Sequence, residues 1–383
     1  MRHSKEDNNL TIFLEGQINS YNADNIEKEI NDVLKQESFV NLFLDFTDVS
    51  YISSAGLRVV LKLKQKYDKV SVINTSLEVY DIFAMTGFSN IMEVKKGLRR
   101  VYISGAEVIG SGYYSTVYRI NKDTIIKVFN TLEDEAQIER ELKLAKEAFV
   151  LGVPTAISFD IVKVDDKFGV VFEMLDCDSL KNAIVKHPEN FNLYVKKYAE
   201  LLKKMNSTEC FSQIVPPIKK DYLKKLSNIE GQLPKDLYNK AHKLLEDIPE
   251  TNTLVHGDCH FKNIMIQGDE LVLIDMETLS VGHPIFELAG LYSAYIGFNE
   301  YNPEEAMDFF GVSSEEAQNL FHSLMQNYFP NYNDEIKDKI SLVSYINVYR
   351  WYYSHKPSSP VVNNYKEKLI NLLKKYNDLD IGV

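Results

Sequence analysis

Along the first hundred residues the apolar positions switch between two periods. Leu10-Thr-Ile-Phe-Leu14 alternates as a strand does and stops at Gly16. Ile26, Ile30, Val33 and Leu34 then recur at helical spacing, behind Asn22 or Asp24 as a helix cap. Phe39 to Phe46 is a dense apolar run, which predicts a buried strand. A second helix opens at Ser53-Ser-Ala-Gly56 and carries Leu57, Val60, Leu61 and Leu63 inward. Val70-Ser-Val-Ile73 predicts a strand, and Leu77, Tyr80, Phe83 and Ala84 a short helix ended by Gly87. Ile91 to Val94 predicts a last strand. Strands alternating with helices predict a small α/β domain over residues 1–98.

A short basic join, Lys95-Lys-Gly-Leu-Arg-Arg100, leads into a second domain over 99–383 and implies close tethering. Val108-Ile-Gly-Ser-Gly-Tyr-Tyr-Ser-Thr-Val-Tyr118 places Gly110, Ser111, Gly112 and Ser115 between two strand-like runs. Glycines there would let backbone N–H groups approach a phosphate closely. Lys127 lies inside the apolar strand Ile125-Ile-Lys-Val-Phe129, a costly place unless an anion pairs with it. Asp134 to Leu151 predicts an amphipathic helix, from which Glu139 or Glu141 is available to Lys127. Phe168 to Leu175 predicts a strand closing a first lobe at about residue 175.

From Ser179 onward the period is helical. Tyr194, Tyr198, Leu201, Leu202 and Met205 form a core stripe, and Pro216-Pro217 breaks the pattern. Leu223 to Leu245, rich in Lys and Leu, predicts an exposed helix pair, and further helices are predicted over 315–328, 336–353 and 365–376. Between them stands Thr253-Leu-Val-His-Gly-Asp-Cys-His-Phe-Lys-Asn-Ile-Met265, followed by Leu271-Val-Leu-Ile-Asp275. Asp258 and Asn263 have the D-x-x-x-x-N spacing of a kinase catalytic loop. Phosphoryl transfer needs one carboxylate for the attacking hydroxyl, and an amide oxygen with a second carboxylate for Mg²⁺. A plain hairpin with polar turns gives no reason for that spacing.

Composition narrows the classes. A net charge of −12 argues against nucleic-acid and anionic-membrane partners. No apolar run approaches the roughly 18 residues of a membrane span, and three cysteines without a C-x-x-C pair fit reduced thiols in a cytoplasm.

The first hundred residues, with Leu44-Asp-Phe-Thr-Asp-Val-Ser-Tyr-Ile-Ser-Ser-Ala-Gly-Leu-Arg58, resemble the STAS family of anti-sigma-factor antagonists. In that family the serine just before the glycine is phosphorylated, within Asp-Ser-Ser-Gly. Here the acceptor position is Ala55 and the aspartate position Ser53, so the resemblance implies docking rather than phospho-switching. Ser53 or Ser54 serves as a helix cap, and Ser54 remains an adjacent hydroxyl.

Residues from about 105 to 376 resemble the aminoglycoside phosphotransferase and choline kinase superfamily. His256-Gly-Asp-Cys-His-Phe-Lys-Asn263 matches H-G-D-x-H-x-x-N, and Ile274-Asp-Met-Glu277 matches I-D-x-E. Glu287-Leu-Ala289 stands where the family has D-L-A. The resemblance implies a two-lobed α+β protein-kinase-like fold, an N-lobe over 99–175 and a helical C-lobe over 176–383. It assigns Asp258 to the substrate hydroxyl and Asn263 and Asp275 to Mg²⁺. Lys127, oriented by Glu141, goes to phosphate oxygens of ATP, and Gly110 to Ser115 cover the nucleotide. Glu173 and Leu175 fall in the segment that links the lobes and holds adenine, while His256 braces the loop. The expected activity is ATP- and Mg²⁺-dependent phosphorylation of a hydroxyl on an aminoglycoside-, choline- or sugar-like molecule. The STAS domain would regulate it or dock a protein partner. The competing expectation is a nucleotide-binding pseudokinase working through STAS contacts. An acid-rich C-lobe suits a cationic substrate, and Arg350-Trp-Tyr-Tyr353 reads either as a cation–π wall for a quaternary ammonium or as packing and surface aromatics on a helix.

Overall fold

Alternation and helical spacing in the first hundred residues produce the elements they predict. The computed structural model describes residues 1–112, 115–130, 135–175 and 177–383. Its chain divides into two units, Met1–Tyr102 and Ile103–Val383, a few residues beyond the expected join.

In the first unit the order is β1 (His3–Glu6), β2 (Asn9–Ile18), α1 (Ala23–Gln36), β3 (Asn41–Ile52), α2 (Ser54–Lys66), β4 (Val70–Thr75), α3 (Leu77–Met85) and β5 (Glu93–Lys96). The sheet runs β1-β2-β3-β4-β5, antiparallel at β1 and parallel elsewhere. Leu10, Ile12, Leu42, Leu44 and Val72 are fully buried in it, as parallel strands covered by helices require. β1 was not expected: His-Ser-Lys-Glu has no apolar residue and is exposed throughout. Backbone pairing alone adds it to the edge. Ser53 caps α2 by accepting from the Gly56 N–H. At Gly56 a Cβ would come within 2.6 Å of Ile18 and 2.8 Å of Ile52, so the turn into α2 admits only glycine. Asn22 stands at the start of α1 but makes no side-chain cap.

The second unit opens with antiparallel strands in the spatial order 158–164, 167–173, 124–129, 115–119, 107–111. α4 (Glu135–Val150) crosses them. The expected start of that helix, Asp134, and the glycine-loop tip, Tyr113 and Tyr114, lie outside the described residues.

Helices dominate the remainder: α5 (Leu180–Lys186), α6 (Phe191–Ser207), α7 (Ile218–Ser227), α8 (Lys235–Asp247), α9 (Ile285–Tyr295), α10 (Glu304–Phe310), α11 (Ser314–Tyr328), α12 (Asp334–His355) and α13 (Val362–Lys375). The stripe on α6 is core, with Tyr198, Leu202 and Met205 buried. The exposed pair expected over 223–245 is corrected. α7 starts at Ile218, directly after Pro217, and buries Ile218, Tyr222 and Leu226. α8 buries Leu237, Ala241, Leu244 and Leu245. Their lysines mark only the outer face of amphipathic helices. Among the described residues no helix is long and apolar enough to cross a membrane.

Candidate active site

Two short strands carry the loop of Asp258. Leu254–Val255 pairs with Ser280–Val281, and Ile264–Gln267 pairs with Glu270–Leu273. The chain between them turns at Gly257, whose φ of +83° favours glycine. A Cβ there would meet Thr278 O at 3.1 Å and Thr278 Cβ at 3.2 Å.

The loop is held from several sides. His256 is fully buried, with Nε2 3.1 Å from Ile274 O, and the Asp258 N–H donates to its Nδ1 at 3.3 Å. These partners set the tautomer with hydrogen on Nε2. Burial lowers its pKa, so the ring is neutral. It braces rather than reacts. Thr278 Oγ1 donates to His256 O at 2.6 Å. Tyr295 OH accepts from the Phe261 N–H at 2.7 Å, and Tyr198 OH donates to Cys259 O.

Glu287, on α9, is completely buried. Its Oε2 accepts from the N–H groups of His256 and Gly257, at 3.3 Å from the latter, while Oε1 has no hydrogen-bond partner among the described residues. Desolvation pushes its carboxyl up to about 7, against those amide bonds. Motif position marked this residue in the sequence, but nothing local shows that it ties α9 to a loop 30 residues earlier.

Asp258 is half-exposed at the floor of a cavity of about 780 Å³. Desolvation in this recess raises its pKa to about 6, with the charge of Asp275 adding to the effect. Asn263 Nδ2 donates to Asp258 O at 2.9 Å and to Asp258 Oδ2 at 3.1 Å. That orientation leaves the Asn263 Oδ1 for a cation. His260 is buried between Phe309 and Phe310, with Nε2 3.6 Å from Asp258 Oδ1. Burial lowers its pKa to about 4, so it too is neutral.

The second strand pair delivers Asp275. Ile274 N–H donates to Asn263 O at 2.9 Å, which seats Asp275 beside the loop. Asp275 has left-handed φ and ψ of 68° and 65°, a conformation that costs a non-glycine residue of order 1–3 kcal/mol and recurs at functional sites. Lys127 Nζ lies 2.8 Å from Asp275 and 2.9 Å from Glu141. Burial would lower the Lys127 pKa, but the two carboxylates outweigh it and raise it. Glu139, the other carboxylate in reach by sequence, pairs with Lys143 instead.

Glu277 completes the group. Oxygens of Glu141, Asp275 and Glu277 lie within 4.8 Å of one another. Desolvation and the nearby Asp275 charge push Glu277 up to about 7. Three crowded carboxylates make a hard, all-oxygen donor set of the kind that suits Mg²⁺. The I-D-x-E segment held the signal for Glu277, though Asn263 and Asp275 alone were expected as ligands.

The remaining expected residues lie on or beside the antiparallel sheet of the second unit. Gly110 and Ser111 end the strand 107–111 and Ser115 begins its partner. Gly112 N–H donates to Ser115 O at 2.9 Å. A Cβ on Gly110 or Gly112 would make only ordinary contacts, at 3.7 and 3.8 Å. Packing within the chain therefore does not demand glycine there, whereas close approach of a phosphate would. Glu173 accepts from the Ile157 N–H through its carboxylate at 2.7 Å and donates its own N–H to Ile157 O at 2.9 Å. Leu175 joins Ala156 and Val272 in a small apolar cluster. Of Arg350 to Tyr353 only Trp351 lines the cavity; Tyr352 is buried and Arg350 bonds to Asn347.

The STAS domain model matches residues 2–101 and the phosphotransferase enzyme family model residues 105–314. The first unit is 30% identical over 95 residues to the anti-sigma-B factor antagonist of Listeria monocytogenes, covering 24% of this chain and 82% of that protein. It is 38% identical over 95 residues to a putative anti-sigma factor antagonist of Bordetella bronchiseptica, covering 24% and 80%. Among solved structures, an ADP-bound aminoglycoside phosphotransferase, APH(2'')-Ib, aligns at TM-score 0.46 with 16% identity over 72% of this chain and 94% of that one. A choline/ethanolamine kinase family protein from Mesorhizobium loti aligns at 0.42, with 16% identity over 70% and 86%.

Proposed function

The chain belongs to the phosphotransferase enzyme family and carries a STAS domain ahead of it, and from that premise we propose an ATP- and Mg²⁺-dependent kinase of a small hydroxyl compound. The observation that carries this reading is the convergence of four polar groups from distant segments. Lys127 meets Asp275 across 148 positions, and Asn263 bonds to Asp258 one loop away.

Asp258 orients the acceptor hydroxyl and takes its proton. Its position at the cavity floor, with a pKa raised toward neutrality, supports that role. Asn263, Asp275 and Glu277 would hold Mg²⁺, which when bound neutralises charge developing on the phosphates. Lys127 holds phosphate oxygens, and Glu141 keeps its ammonium aimed. Gly110, Gly112 and Ser115 would let the nucleotide's phosphates approach the backbone closely, and Leu175 would offer an apolar face. His256 and Glu287 fix the loop, so the transfer geometry exists before substrate arrives.

For the STAS unit we propose constitutive docking. Ala55 has no hydroxyl, and Ser53 is engaged as the helix cap. Ser54 is exposed at the start of α2, so phosphate mapped there after incubation with Mg-ATP would replace docking with switching.

Calorimetric titration of Mg-ATP tests the kinase reading. Native protein binds saturably only with Mg²⁺ present, and Lys127→Met weakens binding by about tenfold or more. Equal binding by both proteins, with and without Mg²⁺, defeats the assignment.

A further inference from the structure

The cavity beside Asp258 is walled by α7, α9, α10 and α12, and its charges divide unevenly once partners are assigned. Asp221 pairs with Lys225 at 2.8 Å, and Glu305 with Lys356 at 3.0 Å. Asp258 and Glu277 belong to the machinery described above. Three charged residues on the wall then remain: Arg140 on α4, and Lys220 and Lys224 on α7. Lys220 and Lys224 stand four residues apart, on one helix face. None of the three makes an ion pair among the described residues.

The aromatic faces point the same way. Lys356 Nζ lies 5.2 Å from the Trp351 ring centre, Lys225 Nζ 4.7 Å from Tyr222 and Lys262 Nζ 4.5 Å from Phe309. All three rings line the cavity. A cationic ligand is recognised by uncommitted carboxylates or by open aromatic faces. Here the chain's own lysines stand over three of the lining rings and pair with both wall carboxylates outside the machinery. The expectation of a cationic acceptor rested on the acid count of the whole C-lobe and on Arg350-Trp-Tyr-Tyr353, and the pairing inside the cavity argues for the opposite charge.

We infer that the acceptor is a small hydroxyl compound bearing an anionic group, a phosphate monoester or a carboxylate, held by Lys220, Lys224 and Arg140 while its hydroxyl faces Asp258. This rests on the kinase reading for the hydroxyl, but the anion preference is a binding property and is measurable without turnover. The transfer itself moves the γ-phosphoryl group to the hydroxyl oxygen, breaks its bond to the β-phosphate oxygen, and passes the hydroxyl proton to Asp258.

A matched series on one scaffold tests it: glycerol, glycerol 3-phosphate, glycerate and 3-amino-1,2-propanediol, with choline and kanamycin added. Binding to the full chain is measured by saturation-transfer NMR and calorimetry, with a non-hydrolysable ATP analogue and Mg²⁺ saturating the nucleotide site. ATP consumption is followed separately. The expected result is saturable binding of an anionic member, tighter than its amine counterpart and weakened by added salt. The Lys220→Glu/Lys224→Glu variant should lose roughly tenfold or more in that affinity while keeping its melting temperature and its affinity for the ATP analogue. Tighter binding of the amine, choline or kanamycin overturns the inference, as does failure of every anionic member to bind, or an unchanged double variant. If anions bind through these lysines and no compound is phosphorylated, the kinase reading falls and the anion site stands. If a cationic acceptor is phosphorylated, the reverse holds.

Discussion

Replacing Gly257 with alanine tests whether the Asp258 loop is as tightly specified as its geometry implies. The substitution adds one methyl group and two costs. A left-handed φ of +83° costs an L-residue about 1–2 kcal/mol. Contacts of 3.1 and 3.2 Å with Thr278 force a shift of a few tenths of an ångström, adding about 1 kcal/mol. Together these predict a loss of about 2–3 kcal/mol, or about 6 °C in Tm for a unit of this size. The unit stays folded, since that is below ordinary domain stability. Turnover suffers as well. Thr278 donates to His256 O, and the His256 ring accepts from the Asp258 N–H, so the shift reaches Asp258; at a few tenths of an ångström it should cost about tenfold in kcat, against about 10²-fold for a full 1 Å. Gly268→Ala is the control. Its φ is +60°, and nothing lies within 4 Å of the added Cβ. It should lose about 1 kcal/mol and no activity. The assay is thermal unfolding and kcat on both variants, once an acceptor is in hand. Equal effects of the two substitutions on kcat would refute the reasoning.

Other outcomes follow from the same structure. Asp275→Ala and Glu277→Ala should each raise the Mg²⁺ concentration for half-maximal activity, by about tenfold or more; an unaltered Mg²⁺ dependence in both removes them as ligands. Glu287 gives a pH signature. Its folded pKa of about 7 lies above the ordinary 4.5, so the folded state holds a proton over that window which the unfolded state has released. Native stability from this group therefore falls as pH rises from about 4.5 to about 7. Glu287→Gln cannot titrate, so its Tm relative to native should climb across that window and level off above it; a pH-independent difference contradicts the assignment. Residues 1–102 and 103–383 should each express as folded units, and aggregation of the second without the first would show a shared core.

Much of this was legible because the chemistry restricts residue type more than packing does. Asp258, Asn263 and Asp275 lie at loop positions where only function calls for that spacing, and Lys127 is conspicuous in an apolar strand. Choosing Glu141 over Glu139 came from resemblance, and the 2.9 Å contact agrees with it. What escaped depends on contacts distant in sequence. The tie from Glu287 to the loop spans 30 residues. The β1 edge strand has no apolar pattern to read. Lysines on α7 and α8 disguised helices whose other faces are core. A count of acids also does not say which of them are already paired: Asp221 and Glu305 on the cavity wall hold Lys225 and Lys356.

The most direct test follows phosphorus. Protein is incubated with ATP, Mg²⁺ and an acceptor mixture, and ³¹P NMR tracks the nucleotide γ resonance. The account predicts its loss with growth of a phosphomonoester signal that passes a protein-retaining filter. That signal should need Mg²⁺ and fall by orders of magnitude in Asp258→Asn. Release of inorganic phosphate alone, phosphate retained on the protein, or an undiminished monoester signal from Asp258→Asn would contradict it.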